Sequence, residues 1–376
     1  MRVIFHPLFI YLYQNLKFMK SLSFILSFAA VCCGCSGGGL LYRYDAEPAS
    51  ISQFKKKAAG DSSFYRISGR VESVYDVAAG RFYISDGTDF LRVYGMEDFP
   101  SSGIDAGDCV ELLARPGFFK GETEAVDAVC LSVTEGPCRG FRTDCTDAPW
   151  PELPRTYKND GCIFIHHPSS DGGRNYSVYY DTSAHLARWV AYPLCSSDLV
   201  EGERTDAYAF DPLVDYAVQA SIGNKSYARG NGGAFIRGHL VPSADRSGLR
   251  ENLEVFMAGN IIPENSGLNS GLWASLEDYC RKLTEKYDTL YIVAGTDSRG
   301  SSVYVKDNDG KRITVPGALF KAVLAYSREG GYEGFGVYVP NEAGNRGKFS
   351  PDMMLTIEEL ETKLGKNDYL YTNIFQ

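Results

Sequence analysis

Between positions 235 and 281 the chain gathers residue types that can move a proton beside a phosphate. Arg237 and His239 stand on either side of Gly238. In an extended strand, residues two apart share a face, so a guanidinium and an imidazole address one spot. A neutral imidazole takes a proton from water near neutral pH. A guanidinium holds a phosphate oxygen and offsets the charge that develops there. Further on, Asn269, Trp273, Glu277 and Arg281 are each four apart. Leu272, Trp273, Leu276, Cys280 and Leu283 recur at helical spacing, which predicts a helix over 270–285. The four residues would form one ridge on it, with the amide at the N-terminal end, where a helix favours phosphate. Each residue alone has a commoner meaning. A His beside an Arg is usually a surface pair, an Asn before a helix a cap, and a Glu and Arg four apart a solvated pair worth about 0.2–0.5 kcal/mol. Their order and spacing together point to chemistry on a phosphate.

The elements that must position these residues are readable in outline. Over 161–376, residues 176–180 and 187–192 read as strands joined through Asp181-Thr182-Ser183, and 290–295 as a buried strand. Residues 303–305 and 313–315 flank Asn308-Asp309-Gly310 as a hairpin, 320–326 and 334–339 are further strands, and 357–364 is an amphipathic helix. Hairpins interspersed with separate helices predict α+β rather than alternating βαβ units. Residues 61–136 read differently. Five short strands, with the turn signal Asp86-Gly87 after the second, predict a small all-β barrel. Pro137, Pro149, Pro151 and Pro154 mark 137–160 as a linker. Residues 36–60, opening on Ser36-Gly37-Gly38-Gly39 and carrying Lys55-Lys56-Lys57, read as a tether.

Residues 1–35 read as a targeting segment. Lys17 and Lys20 precede the apolar run 22–31, which ends in Cys32-Cys33-Gly34-Cys35. That pattern predicts a secretion signal, too short for a membrane span. Gly34-Cys35 resembles a lipobox with Cys32 where Leu is usual. The expectation is an exported protein, lipid-anchored to the cell envelope through Cys35 or secreted. Met19 offers an alternative start to Met1. After Cys35 seven cysteines remain, an odd number, so at least one is left over from intrachain pairing. Cys138 and Cys145 flank a short loop that could bridge, since export permits disulfides. No cysteine pair has zinc-ligand spacing beside a histidine.

Of the 376 residues 44% are hydrophobic and 23% charged, the balance of a soluble globular protein, and the length suggests two domains. The net charge of −9 gives no bulk support for polyanion binding. A site that grips one phosphate with a few arginines can still sit on an acidic chain. The expected consequences are weak binding to long DNA and strong sensitivity to salt.

Three stretches carry a resemblance: "IRGHLVP" from Ile236, "GNIIPENSGLNSGLWASLE" from Gly259 and "DYCR" from Asp278. In order and spacing they resemble the hallmark of the DNA/RNA non-specific endonucleases of the ββα-metal class: D-R-G-H, then N-x-x-P, then N-x-x-x-W-x-x-x-E. The resemblance runs over nearly all of 161–376, including "WVAY" from Trp189, "GERTDAYAFDP" from Gly202, "LYIVAGT" from Leu290, "ITVP" from Ile313 and "IEELETKLG" from Ile357. It implies an α+β nuclease domain with a central antiparallel sheet, acting on DNA and RNA. His239 would be the general base, and Asn269 the one direct protein ligand of Mg2+, with Mn2+ as a substitute. Mg2+ prefers to keep most of its waters. Glu277 would orient those waters, Asn260 would support the catalytic loop, and Arg237, Arg204 and Arg281 would surround the scissile phosphate. Products would carry 5′-phosphates. The leading Asp of the hallmark is Ile236 here. Alternation turns this position away from the phosphate, so it reads as a structural prop replaced by an apolar contact. Loss of that carboxylate keeps open a second reading, a surface protein that captures nucleic acid without cutting it, and a third is a phosphodiesterase for small substrates.

The barrel carries a weaker likeness. "RISGRV", "FYISDG", "LRVYG" and "AGDCVEL", from Arg66, Phe82, Leu91 and Ala106, resemble the OB-fold domains of secreted Bacteroidetes-type proteins. Tyr65, Phe82, Tyr83 and Tyr94 could stack bases, although about half must face the barrel core, because strand side chains alternate.

Overall fold

The computed structural model describes residues 46–57, 61–136, 139–199, 202, 204–228, 232–365 and 370–371. The signal segment with both possible starts, Cys35, the first part of the tether and Cys138 lie outside them. Cys145, the proposed partner of Cys138, is free. The chain divides into two compact units, one running to Val71 with Val77–Gly136, the other comprising Glu72–Asp76 with Pro137–Gln376.

In the first unit, β1 (Glu47–Pro48) leads through helix α1 (Ile51–Lys55) to β2 (Tyr65–Asp76), β3 (Arg81–Ser85), β4 (Phe90–Val93), β5 (Cys109–Phe119) and β6 (Glu122–Thr134). The order β1-β2-β3-β4-β6-β5 closes because β5 returns to β2. A closed five-stranded barrel results, as the strand count predicts. Alternation fills it: Ile67, Phe82, Ile84, Leu91, Val93, Val110 and Leu112 are buried. Phe82 is thus core, whereas Tyr94 is exposed. Residues 47–57, read as tether, belong to this fold. Ser50 and Gln53 form a reciprocal cap on α1, and Ile51 and Phe54 are buried. The lysines that suggested a solvated tether follow a turn whose apolar residues are inside.

The second unit is built on a seven-stranded sheet. It contains β7 (Phe141–Thr143), β8 (Cys162–Pro168), β9 (Arg174–Asp181) and β10 (Leu186–Leu194), then β13 (Thr289–Asp297), β16 (Ala318–Ser327) and β17 (Gly331–Pro340). All neighbours are antiparallel, in the order β17-β16-β13-β10-β9-β8-β7. Two ribbons stand apart: β11 (Phe235–His239) with β12 (Ile261–Asn265), and β14 (Tyr304–Lys306) with β15 (Arg312–Thr314). The central strands read as nearly continuous apolar runs because both faces are covered. On one face Val190, Tyr192, Ile292, Leu319 and Val323 pack against Leu272, Trp273 and Leu276. On the other, Trp189, Ala191, Val293, Phe320 and Leu324 pack against Leu360 and Leu364 at helix α4 (Ile357–Lys363). Helix α2 (Leu249–Val255) lies between the two strands of the first ribbon in sequence. Strands and separate helices give an α+β unit, as expected.

Two readings of the sequence need correction here. Residues 137–160 are not a free linker. Phe141–Thr143 is the edge strand of the sheet, pairing with β8, and Leu153 is buried in its core. The predicted helix over 270–285 is also not one regular helix. A helical turn at Ser266–Leu268 runs into a wide π-helical turn at Asn269–Trp273, and α3 (Ala274–Leu283) follows. Gly271 leaves helical geometry at φ −111 and ψ −105, and the backbone of Arg346 approaches so closely that any Cβ would meet it at 2.6 Å. In a π turn the hydrogen bond spans five residues rather than four, so the spacing of four from Asn269 to Trp273 does not define one α-helical ridge here. Asn269 also stands one turn inside the helical run, whose cap is Asn265, accepting from the Gly267 amide at 2.9 Å.

Candidate active site

The β11–β12 ribbon sets out the first group. Arg237 pairs with Pro263 and His239 with Ile261, so Arg237 and His239 occupy alternate positions on one strand. The His239 ring rests edge-on against Phe256, with centroids 4.7 Å apart, and lies 5.7 Å from Tyr208. The same two aromatic rings seat two arginines. The Arg237 guanidinium lies 3.5 Å over Tyr208, and that of Arg204 lies 4.9 Å from the Phe256 centroid. Arg237 is fixed further by donating to the Ile222 and Gly223 carbonyls at 3.0 and 3.1 Å. Arg204 is exposed and pairs with Asp206 at 2.7 Å. Burial, with Arg204 and Arg237 adding repulsion, pushes the His239 imidazole down to about 3. Its Nε2 is buried with no hydrogen-bond partner. The result is a neutral ring with one nitrogen that has yet to find its proton or its donor.

Asn260 is fully buried behind this group. Its Oδ1 accepts from the Val241 amide at 2.8 Å, and its Nδ2 donates to the Val241 and Val255 carbonyls at 3.0 and 2.8 Å. It therefore clamps the chain just after His239 to the end of α2, and acts through position rather than contact.

The second group centres on Asn269. Its Nδ2 donates to Glu264 Oε2 at 2.8 Å. Glu264 is fully buried, and its carboxylate lies against Gly238, where any Cβ would meet Oε2 at 2.1 Å. Asn269 is thus linked through one carboxylate to the residue preceding His239. Burial raises Glu264 to about 8, although the Asn269 hydrogen bond opposes this. Burial likewise raises Glu277 to about 7, against the pull of Lys321. Lys321 projects from β16 toward this group, 1% exposed, with its Nζ 4.9 Å from the Trp273 centroid.

Arg281 has different partners from the other two arginines. It donates to Asp245 at 2.7 Å and also pairs with Asp278. Asp245 is fully buried, so this guanidinium is already matched by two carboxylates. Ile236 is the ladder partner of Glu264, so a carboxylate stands across the ribbon from the position where the hallmark carries one.

Sequence reasoning missed Glu264, Lys321, Tyr208 and Phe256. A signal existed for Lys321, the one charge in the buried run of β16. Glu264 gave none, because its importance lies in the register that sets it beneath Gly238.

For a cation, the oxygens on offer are the Asn269 amide and the Glu264 and Glu277 carboxylates. Among the described residues no group of three or more His, Cys, Asp and Glu converges. Hard oxygen donors that are few in number suit Mg2+ or Mn2+ retaining most of its water. Asn269 and Glu264 fit such an ion, because one amide oxygen and one buried carboxylate oxygen remain uncommitted within the same hydrogen-bonded pair.

The family model for DNA/RNA non-specific endonucleases matches residues 164–373. A nuclease of Nostoc sp. is 33% identical over 199 residues, covering 50% of this chain and 69% of that protein. The mitochondrial nuclease EXOG of Danio rerio is 30% identical over 159 residues, 40% of this chain and 46% of that protein. A nuclease of Serratia marcescens is 26% identical over 198 residues, 50% of this chain and 71% of that protein. With the match spanning more than half of the sequence and the site residues falling inside it, the chain belongs to the DNA/RNA non-specific endonuclease family.

Proposed function

We propose that this chain is a divalent-cation-dependent endonuclease that hydrolyses phosphodiester bonds of DNA and RNA with little sequence specificity. In this reading His239 is the general base, and Mg2+, or Mn2+ in its place, is held by Asn269. The observation that carries the reading is the buried, unpartnered Nε2 of His239 between two arginines. An imidazole kept neutral is free to accept a proton from an attacking water. Its low basicity is a property of the free protein. Burial is the larger cause of that depression, and a phosphate between Arg204 and Arg237 would cancel the smaller, repulsive part, so the base would strengthen somewhat as substrate binds. Arg237, already fixed by two carbonyls and a ring, would meet the phosphate without reorganising. Asn260 would hold His239 in register, and Glu277 would accept hydrogen bonds from the cation's waters. A cation held by Asn269 would supply Lewis-acid polarisation of the phosphate and of the leaving oxygen.

The test is nicking of supercoiled plasmid by the chain lacking residues 1–35, with Mg2+ or Mn2+ and with EDTA. Cleavage that EDTA abolishes, and that falls by about 10²–10⁴-fold in His239→Ala, is expected. Asn269→Ala is expected to reduce it strongly. Full activity in His239→Ala would remove the proposed base. Plasmid that is bound but left intact would favour a capturing protein instead.

A further inference from the structure

The cation site needs a device that decides which end of the Asn269 amide faces the ion. An amide presents two hydrogen-bond donors at one end and an acceptor at the other, and only the oxygen can ligate a metal. Glu264 makes the choice. Its Oε2 takes the Nδ2–H of Asn269 at 2.8 Å, which commits the nitrogen inward and leaves Oδ1 as the free end. Glu264 itself is fully buried, and its other oxygen, Oε1, is buried with no hydrogen-bond partner. An unmatched buried carboxyl oxygen costs about 1–3 kcal/mol, so its retention beside a uniquely oriented amide asks for a partner. The space for this carboxylate depends on Gly238, since a Cβ there would strike Oε2 at 2.1 Å and the Glu264 Cβ at 2.5 Å. Three separate features, a committed amide, an uncommitted buried oxygen and a glycine that admits them, therefore meet at one residue.

We propose that Glu264 is the positioning residue of the cation site: by accepting from Asn269 Nδ2 it leaves Asn269 Oδ1 as the end that would ligate a cation. The proposal rests on the reading of Asn269 as the metal ligand and adds to it a residue outside the hallmark roles. It requires that Glu264 act on cation affinity through Asn269, not through folding alone.

The test uses Mn2+ itself, titrated against the chain lacking residues 1–35 and followed by electron paramagnetic resonance, without substrate. Glu264→Leu removes the acceptor and should weaken Mn2+ binding by about 10–100-fold, the usual effect of losing a partner that orients a ligand. Glu264→Gln keeps an oxygen that can accept from Asn269 and should recover most of that loss. In the cation-free protein, the Asn269 side-chain amide protons should exchange slowly in the wild type and in Glu264→Gln, and fast in Glu264→Leu. Unchanged Mn2+ affinity in Glu264→Leu, with Asn269→Ala defective, would overturn the proposal and leave the ligand assignment standing. Unchanged affinity in Asn269→Ala would sink the ligand assignment itself. Glu264→Gln as weak as Glu264→Leu would show that orientation is not what the residue provides. Slow amide exchange in Glu264→Leu would overturn it as well.

Discussion

At the scale of single residues, burial holds two histidines below their ordinary readiness to take a proton. Burial pushes His239 down to about 3, and His166 down to about 4, each with nearby positive groups adding to the effect. In the unfolded chain both return to about 6.5. As pH falls below that value the unfolded chain takes up protons that the folded protein refuses, so stability declines from about 6.5 toward 3. His167 has the opposite sign. Its value is raised despite the burial that opposes it, because Asp211 accepts its Nε2 at 3.0 Å. Its contribution is present below about 6.5 and fades as pH rises through the raised value. Nitrogen NMR of His239 should accordingly find a neutral ring from about pH 8 to about pH 5, and His239→Phe should lose less thermal stability than the wild type across that fall. A midpoint near 6.5 would mean that the ring is solvated and the burial argument wrong. What was legible was residue type: His239, Asn269 and Glu277 stand out as candidates because few side chains can do the proposed chemistry. What was not legible for Arg281 was its pairing with Asp245, which is made only through the fold.

At the scale of elements, the β11–β12 ribbon and the helical run after it form the frame, and two glycines show how tightly they fit. Gly238→Ala would bring a Cβ to 2.1 Å from Glu264 Oε2. The far end of a carboxylate can move, but its Cβ at 2.5 Å belongs to a strand and cannot. The expected cost is about 1–3 kcal/mol of stability, together with weakened Mn2+ binding as Glu264 is driven off Asn269. Gly347→Ala is the control, since nothing lies within 4 Å of its Cβ position, and it should change stability by less than about 0.5 kcal/mol. Chemical denaturation of both variants checks this, and equal stability would show that the ribbon yields without cost. The strands at Arg174–Asp181, Leu186–Leu194 and Thr289–Asp297 were readable because apolar patterning is local. The π turn was not. Gly271 looks like any helix glycine until the Arg346 backbone, distant in sequence, is laid against it.

At the scale of the whole molecule, composition misplaced the start of the second unit's main segment, and the error has a measurable consequence. Prolines suggested a linker over 137–160, but proline removes a ladder hydrogen bond without preventing burial. Between Pro151 and Pro154, Leu153 is 2% exposed in the sheet's core. Trp150 lies 4.5 Å from the His166 ring, and Glu152, itself buried, pairs with Arg174. The edge strand Phe141–Thr143 completes the ladder along β8. A fragment starting at 161 would expose the side of the sheet that these residues cover and leave Arg174 without its carboxylate. One starting at 137 would keep both. Both fragments lack Glu72–Asp76, and the longer one thereby loses the pairing of Arg139 with Glu72, which narrows its advantage slightly. Burying one large apolar side chain contributes about 1.5–3 kcal/mol, so the shorter fragment should be less stable by roughly 3–6 kcal/mol. For a unit of this size each kcal/mol moves the melting temperature by about 2–4 °C. Thermal unfolding followed by circular dichroism should therefore separate the two by roughly 6–24 °C. Both fragments retain the ribbon and the helical run, so nicking per folded molecule at low temperature should be alike. Matching melting temperatures would return 137–160 to the status of a linker. Cleavage lost along with stability would mean instead that the sheet's far edge helps to hold the site.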